Sequence, residues 1–204
     1  MNFSILGCEI RKQIFHFITH RTGSITESIH QRRTTYAKPD LAAAILPSVQ
    51  IHQVHCEGYS AEKALKYAEN ALSANNDDIQ AIVCTADVLT LGILPALESA
   101  GLAGQVYLTG MDCEVAAMQA VNKGYIGVDI WTEIDVCASE AAKAAIALVK
   151  GEEVDYDEMI DNGDYKVPKK YVPIVGVTKD NIEEWATQIA PEGWITMEQI
   201  ESGQ

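Results

Sequence analysis

Asp87 and Asp112 each stand just past a short apolar run, 79–85 and 105–109, where a chain would leave a buried strand. A carboxylate in such a place can accept two hydroxyl or N–H donors of a bound molecule at once. It can equally cap the helix that follows, and both roles stay open for Asp112 and for Asp87. Glu114 reads as a first-turn helix residue favoured by the helix dipole, and Thr85 as a buried hydroxyl bonded to backbone. His16 and His20 have the i, i+4 spacing of a metal pair, and His52, His55 and Cys56 form a compact donor group. A zinc site needs four well-placed donors, or three and a water, and neither group supplies them. Asp155, Asp157, Asp161 and Asp164 resemble a calcium loop in composition but not in spacing, so they read as a solvated loop. No nucleophile elbow, phosphate loop or dinucleotide glycine fingerprint occurs, and the turn Gly101-Leu102-Ala103-Gly104 is too short to cradle phosphate. The residues predict no enzyme, no cofactor and no metal.

The elements that must carry these residues alternate. Ser60 is a good N-cap, and Ala64, Leu65, Ala68, Ala71 and Leu72 mark an apolar face, which predicts a helix to about residue 73. Asn75-Asn76-Asp77-Asp78 predicts a turn. Strands are expected at 79–85, 105–109 and 125–130. Helices are expected at 88–100, with Gly92 and Pro95 as kink points, at 113–122, ended by Gly124, and at 134–150. Residues 151–165 read as an acidic loop, 171–177 as a β-like run interrupted by Pro173, and Asp180 as the cap of a helix to about residue 189. Strands alternating with helices of this length predict an α/β fold with a mostly parallel sheet flanked by helices.

The 204 residues carry 15 Lys+Arg against 29 Asp+Glu, a net charge of -14. So acidic a chain repels phosphate backbones, and no nucleic-acid partner is expected. Five cysteines without a CxxC spacing indicate neither a disulfide framework nor a zinc ribbon. The average conceals a break. All five His and all four Arg lie in residues 1–56, which carry six basic against three acidic residues; residues 57–204 carry nine against 26. Random placement would do this on the order of once in a hundred thousand chains. Within 1–56 the apolar residues keep no sustained period; 41–46 is a short apolar run and 49–55 alternates as a strand would. Ile5-Leu6-Gly7-Cys8 superficially matches a lipoprotein cleavage box, but too few apolar residues precede it, and no Lys or Arg does, for a working export signal.

The run 71–87, the run 101–112, residues 116–124 and the stretch 167–182 resemble, in order, the second lobe of pentose-type sugar-binding proteins of ABC importers, of the D-xylose-binding kind. The resemblance extends from about Tyr59 to Trp185. It implies a partial type I periplasmic-binding-protein fold: a two-lobed clamshell with three hinge crossings, of which the first lobe is missing. Helix 134–150 would cross back to pack on that lobe. Residues 41–46 and 49–55 sit roughly where the first two strands of the second lobe belong. The implied domains are an atypical, poorly ordered segment 1–56, unrelated to the fold as a shifted reading frame would make it; a partial sugar-binding domain 57–190; and a C-terminal tail 191–204.

The same resemblance supplies candidate ligand-binding residues. Asp112 matches the family's sugar-binding Asp, and Asp87 a second family Asp. Ala86 stands where the family has an Asn, and Thr132 where it has a hinge Lys, so two polar contacts are lost. Asp129 and Trp131, on the hinge strand beside Thr132, form a candidate replacement set, with Trp131 either a stacking platform or a packed hinge residue. The expected function is non-catalytic binding of a monosaccharide, a xylose-like pentose or related sugar, for ABC-type import or sensing, with an ABC permease or membrane sensor as partner. The alternatives are a regulatory ligand-sensing or interaction fragment and a non-functional one. With one wall of the site absent, affinity is expected to be weaker than about 1 mM, roughly -4 kcal/mol. The resemblance implies a place outside the cytoplasmic membrane, periplasmic or extracellular and membrane-associated; the chain taken literally would stay cytoplasmic.

Overall fold

The computed structural model describes residues 14–20, 49–161 and 165–203. Eight strands occur in these: β1 (Ile14–His20), β2 (Val49–His55), β3 (Ala81–Val83), β4 (Tyr107–Met111), β5 (Val128–Thr132), β6 (Glu158–Asp161), β7 (Lys166–Lys169) and β8 (Ile174–Val177). The helices are α1 (Ala61–Ala74), α2 (Asp87–Ser99), α3 (Val115–Lys123), α4 (Ile134–Lys150), α5 (Ile182–Glu184, continued by a wider turn Trp185–Ile189) and α6 (Met197–Glu201).

Six strands form one sheet in the order β2-β1-β3-β4-β5-β8. The centre is parallel: β3 pairs β4 with Ala81 opposite Tyr107, and β4 pairs β5 with Thr109 opposite Val128. Helices α2 and α3 make the two crossovers, so this is the α/β class that alternation predicts. The flanks run antiparallel, β1 against β3 on one side and β8 against β5 on the other.

The local signals act as their chemistry requires. Ser60 Oγ accepts the Lys63 N–H at 3.2 Å and starts α1, which buries Ala64, Ala68 and Leu72 at spacings of four. Asn76 and Asp77 take left-handed conformations in the turn that follows. Gly124 and Gly151 end α3 and α4 at positive φ, 80° and 72°, where a Cβ would be disfavoured. Ile82, Leu108 and Ile126 on the sheet side and Leu89, Ile93, Leu97, Met118 and Val121 from the helices are buried together. Each contributes roughly 1.5–3 kcal/mol relative to exposure.

Several expectations change. α2 runs unbroken through Gly92 and Pro95. The role of Gly92 is a close approach, since a Cβ there would lie 2.6 Å from the Ala61 carbonyl oxygen of α1. The acidic loop holds half a hairpin, β6 pairing antiparallel with β7; four residues with a charge at each end carry little apolar signal. Asp180 is not the cap of α5. Asn181 precedes the helix, and its Oδ1 accepts from Thr178 N and Oγ1 at 2.7 and 3.2 Å. Residues 196–201 of the expected tail form α6 behind a Thr196–Gln199 capping box, with Ile200 buried. β1 was not expected. Its seven residues, IFHFITH, are rich in β-formers, but seven residues are too few to establish a period. The expected strand 49–55 is β2, which lies at the sheet edge with β1 between it and β3. Run 41–46 and the cleavage-box residues lie outside the described residues.

Candidate functional site

The parallel centre opens at the carboxyl ends of β3, β4 and β5. Past Val83, the side chain of Thr109 enters between β3 and β4: its Oγ1 accepts the Cys84 N–H at 3.1 Å. Thr90 Oγ1 lies 3.1 Å from the Ala86 and 3.0 Å from the Thr109 carbonyl oxygens, able to donate to either. These buried hydroxyls tie the end of β3 and the first turn of α2, which carries Asp87, to β4. The carboxyl end of a parallel sheet is where ligands of such folds bind.

Here the structure brings Asp87 and Asp129 together. Both are fully buried. Gly110, opposite Asp129 in the β4–β5 ladder, lies between them: a Cβ on it would come within 3.0 Å of Asp129 Oδ2 and Asp87 Oδ1. The end of β4 and the β4–α3 loop then engage four successive backbone N–H groups here, three of them on these carboxyls. Met111 N donates to Asp87 Oδ1 at 3.0 Å and Glu114 N to Asp87 Oδ2 at 2.8 Å. Cys113 N donates to Asp129 Oδ1 at 3.3 Å, and Asp112 N to the Ile130 carbonyl at 3.1 Å. The loop needs that support, because Asp112 and Cys113 sit at φ 116° and 55°, a region costly for residues with a Cβ.

Burial, then the hydrogen bond and charge of Asp129, push the Asp87 carboxyl up to about 9. Burial also raises Asp129, while its bond to Asp87 and those from Cys113 act in the opposite direction. Asp129 Oδ2 is buried with no N–H or O–H donor while both groups are carboxylates; a proton on Asp87 supplies one. Burial and the nearby Asp129 hold the Cys113 thiol well above its ordinary range, so it stays a donor, 3.6 Å from Asp129 Oδ1.

The remaining candidates divide. Asp112 is half-buried at the loop apex. It does not occupy the N-cap of α3, which is Glu114. Asp87 sits one residue inside α2 and binds the neighbouring loop instead of capping its own helix. Thr132 ends β5, half-buried and opposite Ile174. Trp131 is 1% exposed, with Trp185 and Trp194 edge-on at ring-centroid distances of 5.6 and 5.2 Å. In this arrangement it packs, and its ring is not an open platform. Thr85 departs from expectation: its buried Oγ1 has no hydrogen-bond partner, because Thr109 satisfies the neighbouring Cys84 backbone instead.

The other clusters disperse. His16 and His20 lie on a strand, where four residues span about 13 Å, not one helical turn. Cys56 is buried, its Sγ donating to the Ser60 carbonyl at 3.4 Å. Asp155 and Asp157 pair with Lys170 at 2.6 and 3.3 Å, and Asp161 is exposed on β6; Asp164 lies outside the described residues. Among the described residues no three His, Cys, Asp or Glu side chains are grouped to hold a metal. Sequence reasoning missed Gly110 and Cys113. A glycine inside an apolar strand signals close approach, and that signal stood at Gly110.

A family model for the periplasmic binding protein domain matches residues 9–153, and so enters the compositionally distinct first segment. The D-xylose-binding periplasmic protein of Escherichia coli is 34% identical over 128 residues, 63% of this chain and 39% of that protein. Its Haemophilus influenzae namesake is 33% identical over 144 residues, 71% and 42%. In fold, the chain is similar to a carbohydrate transporter solute binding protein from Chloroflexus aurantiacus, solved with D-glucose. That match has a TM-score of 0.61 and 23% identity over 79% of this chain and 46% of that one. The chain spans about two-fifths of the length of the curated relatives it matches.

Proposed function

The chain belongs to the periplasmic binding protein domain family, and from that premise we propose that it binds a monosaccharide, a xylose-like pentose or a related sugar, without catalysis. Relatives named for D-xylose binding support the ligand class. The observation that carries the reading is Asp112, a half-buried carboxylate at the carboxyl end of the parallel sheet on a loop whose own N–H groups are all engaged. A carboxylate so placed accepts two sugar hydroxyls. Thr132 adds a hydroxyl at the neighbouring strand end, while Asp87, Asp129 and Trp131 lie behind that surface and shape it.

An ABC permease is the implied partner, and the periplasm the implied compartment. No helix of the described residues is long and apolar enough to cross a membrane. The described residues flank the site with one sheet and its helices, so affinity for D-xylose is about 1 mM or weaker. Titrating D-xylose and D-glucose up to about 100 mM raises the melting midpoint of the wild type, and Asp112→Ala abolishes the rise. A wild type whose midpoint no sugar moves refutes this reading.

A further inference from the structure

We propose that Asp87 and Asp129 share one proton across Gly110 and act together as positioning residues, clamping the β4–α3 loop in the conformation that presents Asp112. The statement about Asp112 rests on the sugar-binding reading; the clamp itself does not.

The geometry requires the pair to act as a unit. Three of the four successive N–H groups from Met111 to Glu114 end on these two carboxyls. Two fully ionised carboxylates, each buried and both within reach of the position a Gly110 Cβ would take, would repel each other with little water between them. With one proton, Asp87 donates to Asp129 Oδ2, which otherwise has no donor. Asp87 keeps lone pairs for Met111 N and Glu114 N, and Asp129 Oδ1 still accepts Cys113 N. Among the described residues, the groups acting on the pair are Asp112 and Cys113 from the loop and Cys84 just past β3; none of these is cationic, so none substitutes for the proton.

Because the native pair holds a proton that the unfolded carboxyls have lost, stability declines as pH rises through the neutral range. Asp129→Asn is the decisive variant, since its amide donates to an ionised Asp87 at every pH while its Oδ1 still accepts Cys113 N. In full-length protein without sugar, the wild-type midpoint falls between pH 6 and 8.5 by about 3–6 °C per pH unit more than that of Asp129→Asn. Parallel profiles overturn the proposal. Infrared spectroscopy tests it without depending on the variant's folding: the wild type at pH 7 shows a protonated-carboxyl stretch that vanishes on alkalinisation, and its absence at pH 7 overturns the proposal too. In a second arm, the midpoint rise produced by about 100 mM D-xylose is larger at pH 7 than at pH 10, where the pair has lost its proton, in the wild type and independent of pH in Asp129→Asn. Diverging sugar-free profiles with no D-xylose response at either pH uphold the clamp and refute the sugar site alone.

Discussion

A buried carboxyl is an expensive group to keep, and the Asp87–Asp129 pair has a stability signature with a definite sign. Unfolded, each carboxyl ionises near 3.9; folded, burial holds Asp87 up to about 9. The raised native value means that the proton's contribution to stability is fully present below about pH 4 and declines from there to about pH 9, where the native pair itself gives up the proton. Through the window between, unfolding releases one proton, and stability falls by about 1.4 kcal/mol per pH unit. Gly110 is the matching backbone residue. Gly110→Ala drives a methyl between the two carboxyl oxygens and should cost about 1–3 kcal/mol in urea denaturation, with the pH dependence reduced; a variant as stable as the wild type would mean that the pair yields easily. The sequence placed Asp87 and Asp129 among ligand candidates because residue type and strand-end position are visible in it. It gave no sign that they face each other, since 42 positions separate them and only the β4–β5 register sets Asp129 opposite Gly110.

Helices and strands were legible where their signals are local. The cap at Ser60, the turn at Asn76 and Asp77, and the stop at Gly124 depend on backbone chemistry within a few residues, and each acts where it was expected. The hairpin of β6 and β7 and helix α6 were missed, because the first is charged and short and the second is a single turn stabilised by its capping box. Gly92 was read as a kink, yet its effect is between helices. Gly92→Ala places a Cβ against the backbone of Ala61, forces α1 away from α2, and is expected to cost about 1–3 kcal/mol in denaturant unfolding. A neutral result would show that the crossing can relax.

Across the whole molecule the most uneven element is α4. Its 17 residues bury none of their side chains, and Ile146 and Val149 are 54% and 89% exposed. Replacing both with Lys should shift the melting midpoint by less than about 2 °C, since surface changes away from packed features stay within about 0.5 kcal/mol. A large loss would place the helix against something that buries it. Near the carboxyl end of β5, Trp131 meets Trp185 and Trp194 edge-on and joins β5 to the turn after α5 and the segment before α6. That contact makes residues 191–203 part of the folded body.

The amino-acid order by itself determined the α/β alternation, the family resemblance and the strand-end positions of Asp87 and Asp112, because these rest on periodicity, caps and neighbouring residues. Tertiary structure alone decided that Asp87 meets Asp129, that Trp131 packs instead of lying open, and that β1 takes the place beside β3. Each of these is a contact between segments far apart in the chain, and its energy depends on burial and register, which no local spacing encodes.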